Sequence, residues 1–155
     1  MGGGLAGLTS AIHLSKREKQ VLLIEKNEYP KHKVCGEYIS NEVLPYLNSL
    51  GVDPISEGAK KITKVHISTI KSNLIKGELP LGGFGMSRYF LDDLLVKKAR
   101  LNGVQILKDN VDSINFKKES FTIVTKSSGV FQSKITIGAF GKRSSLDQKM
   151  KRKFI

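Results

Sequence analysis

The sequence predicts an α/β fold: a parallel sheet wound with helices, one crossover made by a β-meander, and an antiparallel hairpin inserted before it. Three observations predict this. A glycine-rich start runs directly into a stretch with helical apolar spacing, and a short apolar run follows. A second helical stretch, residues 88–101, leads into another short apolar run at 104–107. Three β-rich segments then follow with links of only a few residues, before a last apolar run at 135–140. Helices between apolar strands imply parallel pairing, and closely linked strands imply antiparallel pairing. The chain reads as one partial domain over residues 1–155, with the inserted hairpin at 62–85 and the meander at 111–133.

Each element has its own grounds. Leu5, Leu8, Ala11 and Ile12 give one apolar stripe over residues 5–15. Residues 20–25 (QVLLIE) form an apolar run ending in an acid, the pattern of a strand buried on both faces. Residues 27–37 are polar and basic, carry Pro30, and read as loop. Residues 41–50 read as a helix with Val43, Leu44 and Leu47 on its inner side, Ser40 as N-cap, Gly51 past its end, and Pro45 shifting its start. Residues 62–70 alternate, and 73–79 read as their antiparallel partner, followed by a glycine-rich turn at 81–85. Ser87 caps the helix at 88–101, whose expected core face is Leu91, Leu94, Leu95 and Ala99, and Asn102-Gly103 stops it. The meander strands are 111–116, 121–126 and 130–133.

Composition bounds the function classes. With 39% hydrophobic and 26% charged residues, the 155-residue chain is globular in character. No apolar run approaches the roughly 20 residues of a membrane span, so stable membrane insertion is not expected, while peripheral contact stays open. The first residues do not read as a signal peptide. The single Cys35 rules out an intrachain disulfide and fits a cytoplasmic setting. The net charge of +12 suits anionic partners, but the lysines are spread along the chain, apart from Lys149, Lys151, Arg152 and Lys153 near its end. The aromatic–basic interleaving of nucleic-acid modules is absent, so nucleic acid is not an expected partner. His13, His32 and His66 lack metal-ligand spacing. Asp92-Asp93 reads as a solvated acid pair on a helix face.

Gly2-Gly3-Gly4-Leu5-Ala6-Gly7 is a G-x-G-x-x-G sequence. In a dinucleotide-binding loop Gly2 would permit the tight turn, Gly4 the approach of a pyrophosphate, and Gly7 close packing of helix on sheet. The helix amides and dipole would then face the phosphates. Glu25 ends the next apolar run, 23 positions beyond Gly2. A carboxylate about 20 residues on accepts hydrogen bonds from an adenosine ribose and repels a 2′-phosphate. Loop, helix and acid together point to a Rossmann-like dinucleotide site.

Several segments carry a family resemblance. Residues 2–11, QVLLIEK at 20–26 and YPKHKVCGEYIS at 29–40 resemble the opening of FAD-dependent oxidoreductases of the geranylgeranyl-reductase and aromatic-hydroxylase type. SRYFLDDLLVKKARLNGVQI at 87–106 resembles their second conserved stretch, and IGAFGKRSSLD at 137–147 their third. The resemblance implies a Rossmann-like FAD-binding fold lacking its first strand, with part of an antiparallel substrate-side hairpin. It implies that Gly2, Gly4, Leu5, Ala6, Gly7, Glu25 and Lys26 hold the ADP half of FAD. It also implies cofactor contacts from Lys33, Gly36, Arg88, Gly138 and Gly141, and puts Cys35 near the isoalloxazine ring as a candidate catalytic thiol. Read from the residues alone, Arg88 has a helix-terminal surface charge as its alternative, and Cys35 a small buried hydrophobe. Phe140 departs from the family's Gly-Ala-Asp-Gly pattern, with Arg143 and Ser144 following.

The implied function is the FAD-binding part of a flavin-dependent reductase or monooxygenase acting on a small prenyl or aromatic substrate, with NADPH as one candidate reductant. Only Met1 precedes the glycine loop. The expected central strand is therefore missing, and the chain reads as truncated at both ends. In the 3-2-1 order that strand would lie between 20–25 and the later strands, and without it the polypeptide is expected to fold poorly or bind FAD weakly and to be inactive alone. The alternatives are an NAD-binding Rossmann module, a basic nucleic-acid-binding protein and a non-functional gene remnant.

Overall fold

The computed structural model describes residues 1–141 and Leu146; the basic cluster at 149–153, Arg143 and Ser144 lie outside the described residues. The chain forms two units, one of Met1–Tyr29 with Leu95–Ile155 and one of Pro30–Leu94. The division falls within the long helix α3, Arg88–Leu101.

In the first unit, α1 (Leu5–Ser15) buries Gly7, Leu8, Ala11 and Ile12, the face that helical spacing requires. Strand β1 (Leu22–Glu25) buries Leu23 and Ile24 on successive, opposite sides, as expected of a parallel strand covered on both faces. It pairs in parallel with β5 (Gln105–Lys108), Leu22 opposite Gln105 and Glu25 opposite Lys108. The part of α3 in this unit buries Leu95, Val96 and Ala99. Its end is a glycine stop: Gly103 has φ +79° and the Val104 amide donates back to the Ala99 carbonyl at 3.0 Å.

The meander is present as β6 (Val111–Lys117), β7 (Ser120–Thr125) and β8 (Val130–Ser133), antiparallel and in chain order. Its inner face joins Ile24, Val111, Ile123 and Leu146 in one apolar cluster, against which Phe140 packs. That packing accounts for an apolar ring where the resembling family has a carboxylate.

Two expectations here need correction. Residues 135–140 form no assigned strand. They run beside the first two residues instead: the Met1 amino group donates to the Ile137 carbonyl at 2.9 Å, and the Ala139 amide to the Met1 carbonyl at 2.8 Å. On the other side the Gly2 amide donates to the Ile24 carbonyl at 2.8 Å. Met1 and Gly2 thus lie between β1 and residues 137–139, but two residues are too few for a ladder. The second correction concerns order. β5 pairs directly with β1, so the central position separates β1 from 137–139 alone.

The second unit is built on an antiparallel sheet in the order β2 (Tyr38–Ser40), β4 (Leu74–Gly85), β3 (Lys60–Ser68). The hairpin is present, but the expected turn at 81–85 is the end of β4, paired to β2 on one side and β3 on the other. Its glycines serve packing: a Cβ on Gly83 would lie 2.3 Å from the Tyr38 ring. Phe84 between them is fully buried. The expected helix at 41–50 is a 3-10 turn (Asn41–Val43) followed by α2 (Leu44–Ser49), with Pro45 in its first turn. The Ser40 hydroxyl accepts from the Glu42 amide at 3.4 Å, and Gly51 takes φ +76°. Leu47 and Leu50 are buried there, whereas Val43 is exposed.

Candidate functional site

The first unit assembles the glycine turn. Gly2 has φ +90°, and a Cβ there would lie 2.4 Å from the Ala139 carbonyl oxygen. A Cβ on Gly7 would lie 1.9 Å from the Gly2 carbonyl oxygen, so α1 sits against the turn without a side chain between them. A Cβ on Gly4 would meet nothing within 4 Å, so the backbone there is open to a ligand. Gly4 is also the N-cap of α1 and no side chain caps the helix. The first amides, at Leu5, Ala6 and Gly7, lie where no helical carbonyl can reach them. Of these residues, Ala6 is exposed and Gly7 buried.

Glu25 meets this turn. Its Oε2 accepts from the Gly3 amide at 2.6 Å. Its Oε1 accepts from the Asn27 amide at 2.9 Å and the Asn27 side chain at 2.7 Å. These donors hold the carboxylate in place at the edge of the glycine turn. Lys26 follows on the surface. Gly138 and Gly141 are both exposed, and Gly141 has φ +72°.

Three members of this site escaped the sequence reading. Gly3 held no position in the G-x-G-x-x-G logic, yet it is tightly confined: a Cβ would lie 1.5 Å from the Tyr29 hydroxyl and 2.9 Å from the Glu25 Cβ. Tyr29 closes the turn by donating to the Gly3 carbonyl at 2.6 Å. Asn27 steadies Glu25. The extra glycine between Gly2 and Gly4 and an asparagine two positions beyond the acid were the available signals.

The second unit holds the remaining candidates. Asp92 is fully buried, which corrects the reading of Asp92-Asp93 as a solvated pair. Its Oδ2 accepts from Lys33 Nζ at 2.5 Å, and its Oδ1 from Arg88 Nε and Nη2 at 3.1 and 3.0 Å. Arg88 is therefore not a free surface charge. Next to these residues in sequence, the His32 and Tyr89 rings stack with centroids 4.5 Å apart. Cys35 and Gly36 are exposed, so Cys35 is not a buried hydrophobe. Among the described residues no group of three or more His, Cys, Asp or Glu could hold a metal, and no helix is long and apolar enough to cross a membrane.

A positive-φ glycine turn, an uncapped helix start and a strand-end acid together form a Rossmann-like arrangement. Comparison with known proteins agrees with it at the level of fold. Residues 1–32 match the NAD(P)-binding Rossmann-like domain family. An uncharacterized protein of Methanosarcina barkeri is 31% identical over 145 residues, covering 91% of this chain and 36% of that protein. Among solved structures, the flavin-dependent halogenase CmlS superposes with a TM-score of 0.82 at 20% identity, over 97% of this chain and 30% of its own. The flavin-dependent monooxygenase PieE, solved with FAD and substrate, gives a TM-score of 0.82 at 20% identity, over 97% and 31%. The p-nitrophenol 4-monooxygenase of Pseudomonas putida gives 0.73 at 18% identity, over 84% and 36%. The chain thus spans about a third of the length of these proteins and has the fold of that part of them.

Proposed function

We propose that this chain is the FAD-binding part of a flavin-dependent oxidoreductase and is inactive without further polypeptide. The observation that carries the reading is the 2.6 Å bond from the Gly3 amide to the Glu25 carboxylate, which joins the strand-end acid to the glycine turn at an uncapped helix start. The residues fit the cofactor. The amides of Gly4, Leu5, Ala6 and Gly7 would receive the pyrophosphate, with Gly2 shaping the turn. Glu25 would accept from the ribose hydroxyls, and Lys26 would add charge at its edge. Lys33, Gly36, Arg88, Gly138 and Gly141 are assigned to the same cofactor, and Cys35 to the reacting ring, on family resemblance.

FAD supplies the redox chemistry when bound, and the chain's own residues bind and orient it. Family resemblance supports reduction of a prenyl double bond with NADPH as donor. The solved structures of similar fold are named as halogenases and monooxygenases, which supports oxidation of an aromatic substrate instead. The single cysteine fits a cytoplasmic setting. The match of residues 1–32 to an NAD(P)-binding domain favours a second reading, a nicotinamide-dinucleotide module. The meander crossover argues against it.

Titration of FAD fluorescence with NAD⁺ as competitor separates the two. FAD is expected to bind and to resist displacement by equimolar NAD⁺. Glu25→Gln, which keeps shape and removes charge, is expected to weaken FAD about tenfold, the worth of one charge-assisted hydrogen bond. Preference for NAD⁺, or unchanged affinity in E25Q, would overturn the assignment.

A further inference from the structure

Lys33, Arg88 and Asp92 form an ion triad in the second unit, and its arrangement asks for a ligand. Asp92 is fully buried on α3, with its side chain 1% exposed, while Lys33 and Arg88 keep 31% and 21% of theirs. A buried carboxylate must be paired, and here both oxygens are. The pairing is more than charge balance demands, since two cations share one acid and leave a net positive charge.

The geometry shows which donors remain. Arg88 meets the carboxylate side-on, through Nε and Nη2. No described residue is shown accepting from its Nη1, which carries two N–H groups. Lys33 Nζ has one acceptor at 2.5 Å and three donors. One carboxylate thus fixes the inner edge of the guanidinium and brings an ammonium beside it, and both cations keep a solvent-facing side. Two such cations held together match the oxygens of a phosphate or carboxylate group, the fork supplying direction and the lysine a point charge.

We propose that Asp92 is a positioning residue that holds Arg88 and Lys33 as one preformed clamp for an oxyanion. The clamp stands on its own geometry; only the source of the oxyanion, cofactor or substrate, rests on the flavoenzyme reading.

The sign of one substitution separates positioning from simple charge. Asp92→Asn removes a negative charge, so plain electrostatics would draw an anion in more tightly. Loss of positioning would do the opposite, because both cations gain rotamer freedom that binding must then remove. The test titrates inorganic pyrophosphate into the chain while following the arginine Nε–H signals by proton–nitrogen NMR. In the unsubstituted chain the Arg88 signal is expected to be sharp and to shift on binding. In D92N it is expected to broaden, and pyrophosphate to bind about tenfold more weakly, the worth of one charged hydrogen bond. Equal or tighter binding in D92N overturns the proposal.

Should D92N fail to fold, Lys33→Met carries the test, since it removes a partly exposed cation and keeps the stem. A loss of similar size with the Arg88 signal kept sharp supports the clamp, and unchanged affinity overturns it. FAD is titrated in a separate arm. Competition with pyrophosphate at the Arg88 signal assigns the clamp to the cofactor. FAD binding that leaves the signal unmoved assigns it to an anionic group on the substrate. Pyrophosphate binding with no FAD binding keeps the clamp and removes the flavoenzyme reading.

Discussion

At the residue scale, the glycines show how one residue type serves different physical ends. Gly4 leaves space and Gly7 removes it. In an ordinary helix interior, replacing glycine by alanine stabilises by roughly 0.5–1 kcal/mol, because the freer backbone of glycine costs more to order. At position 7 the sign should reverse, since the new Cβ would lie 1.9 Å from the Gly2 carbonyl. Gly7→Ala is expected to destabilise by about 1–3 kcal/mol as α1 or the turn shifts to admit the methyl group. A fall in the urea midpoint of unfolding would show it, and a rise would mean that the helix does not sit on the turn. The sequence motif named Gly7 as a packing position. It could not name Gly3, because the atom that fills Gly3's space belongs to Tyr29, 26 positions away.

At the element scale, the β5–β6 junction is tied to the β7–β8 turn by one carboxylate. Asp109 accepts from the Asn110 amide at 2.7 Å and from the Ser127 and Ser128 amides at 3.1 and 2.7 Å. A hydrogen bond from the Ser128 side chain, followed by these amides, holds its carboxyl well below the usual carboxylate range, against the opposing effect of burial. A pKa lowered by folding contributes stability above the unfolded value, near 4, and that contribution is lost as pH falls through it toward the folded value. The chain should therefore lose stability between about pH 5 and 3 more steeply than Asp109→Asn, in which the pH-dependent part is gone. Urea midpoints across that range measure it; parallel curves would show that Asp109 does not couple the two elements. The same scale explains the misread turn at 81–85. Three glycines within five residues ordinarily mark a turn, but here Gly83 lets β4 run close against the Tyr38 ring, and Gly82 and Gly85 lie close to Ile62 of β3.

At the scale of the whole molecule, charge is the property that reaches furthest. A net charge of +12 on 155 residues creates a field that attracts any dinucleotide phosphate, and salt screens it, with a Debye length of about 10 Å at 0.1 M and 3 Å at 1 M. FAD affinity is expected to fall between 0.05 and 0.5 M salt, and less steeply for riboflavin, which shares the ring but lacks the phosphates. Equilibrium dialysis of both ligands checks this. Equal salt slopes would show that the phosphates are not what the protein holds.

The sequence by itself determined the helix α1, the apolar strands β1 and β5, the long helix α3, the meander and the pairing of a glycine loop with Glu25. These follow from periodicity and short-range spacing, which act through neighbours in the chain. Only the tertiary structure decided that Gly3 lies under Tyr29, that the glycines of 81–85 belong to a strand, and that residues 137–139 run beside Met1. It also decided that Asp92 is buried between two cations. A helical acid has the same local pattern whether it faces water or a partner, and here the partner that settles it is Lys33, 59 positions away in sequence. Burial and long-range pairing depend on which segments meet, and local pattern carries no record of that.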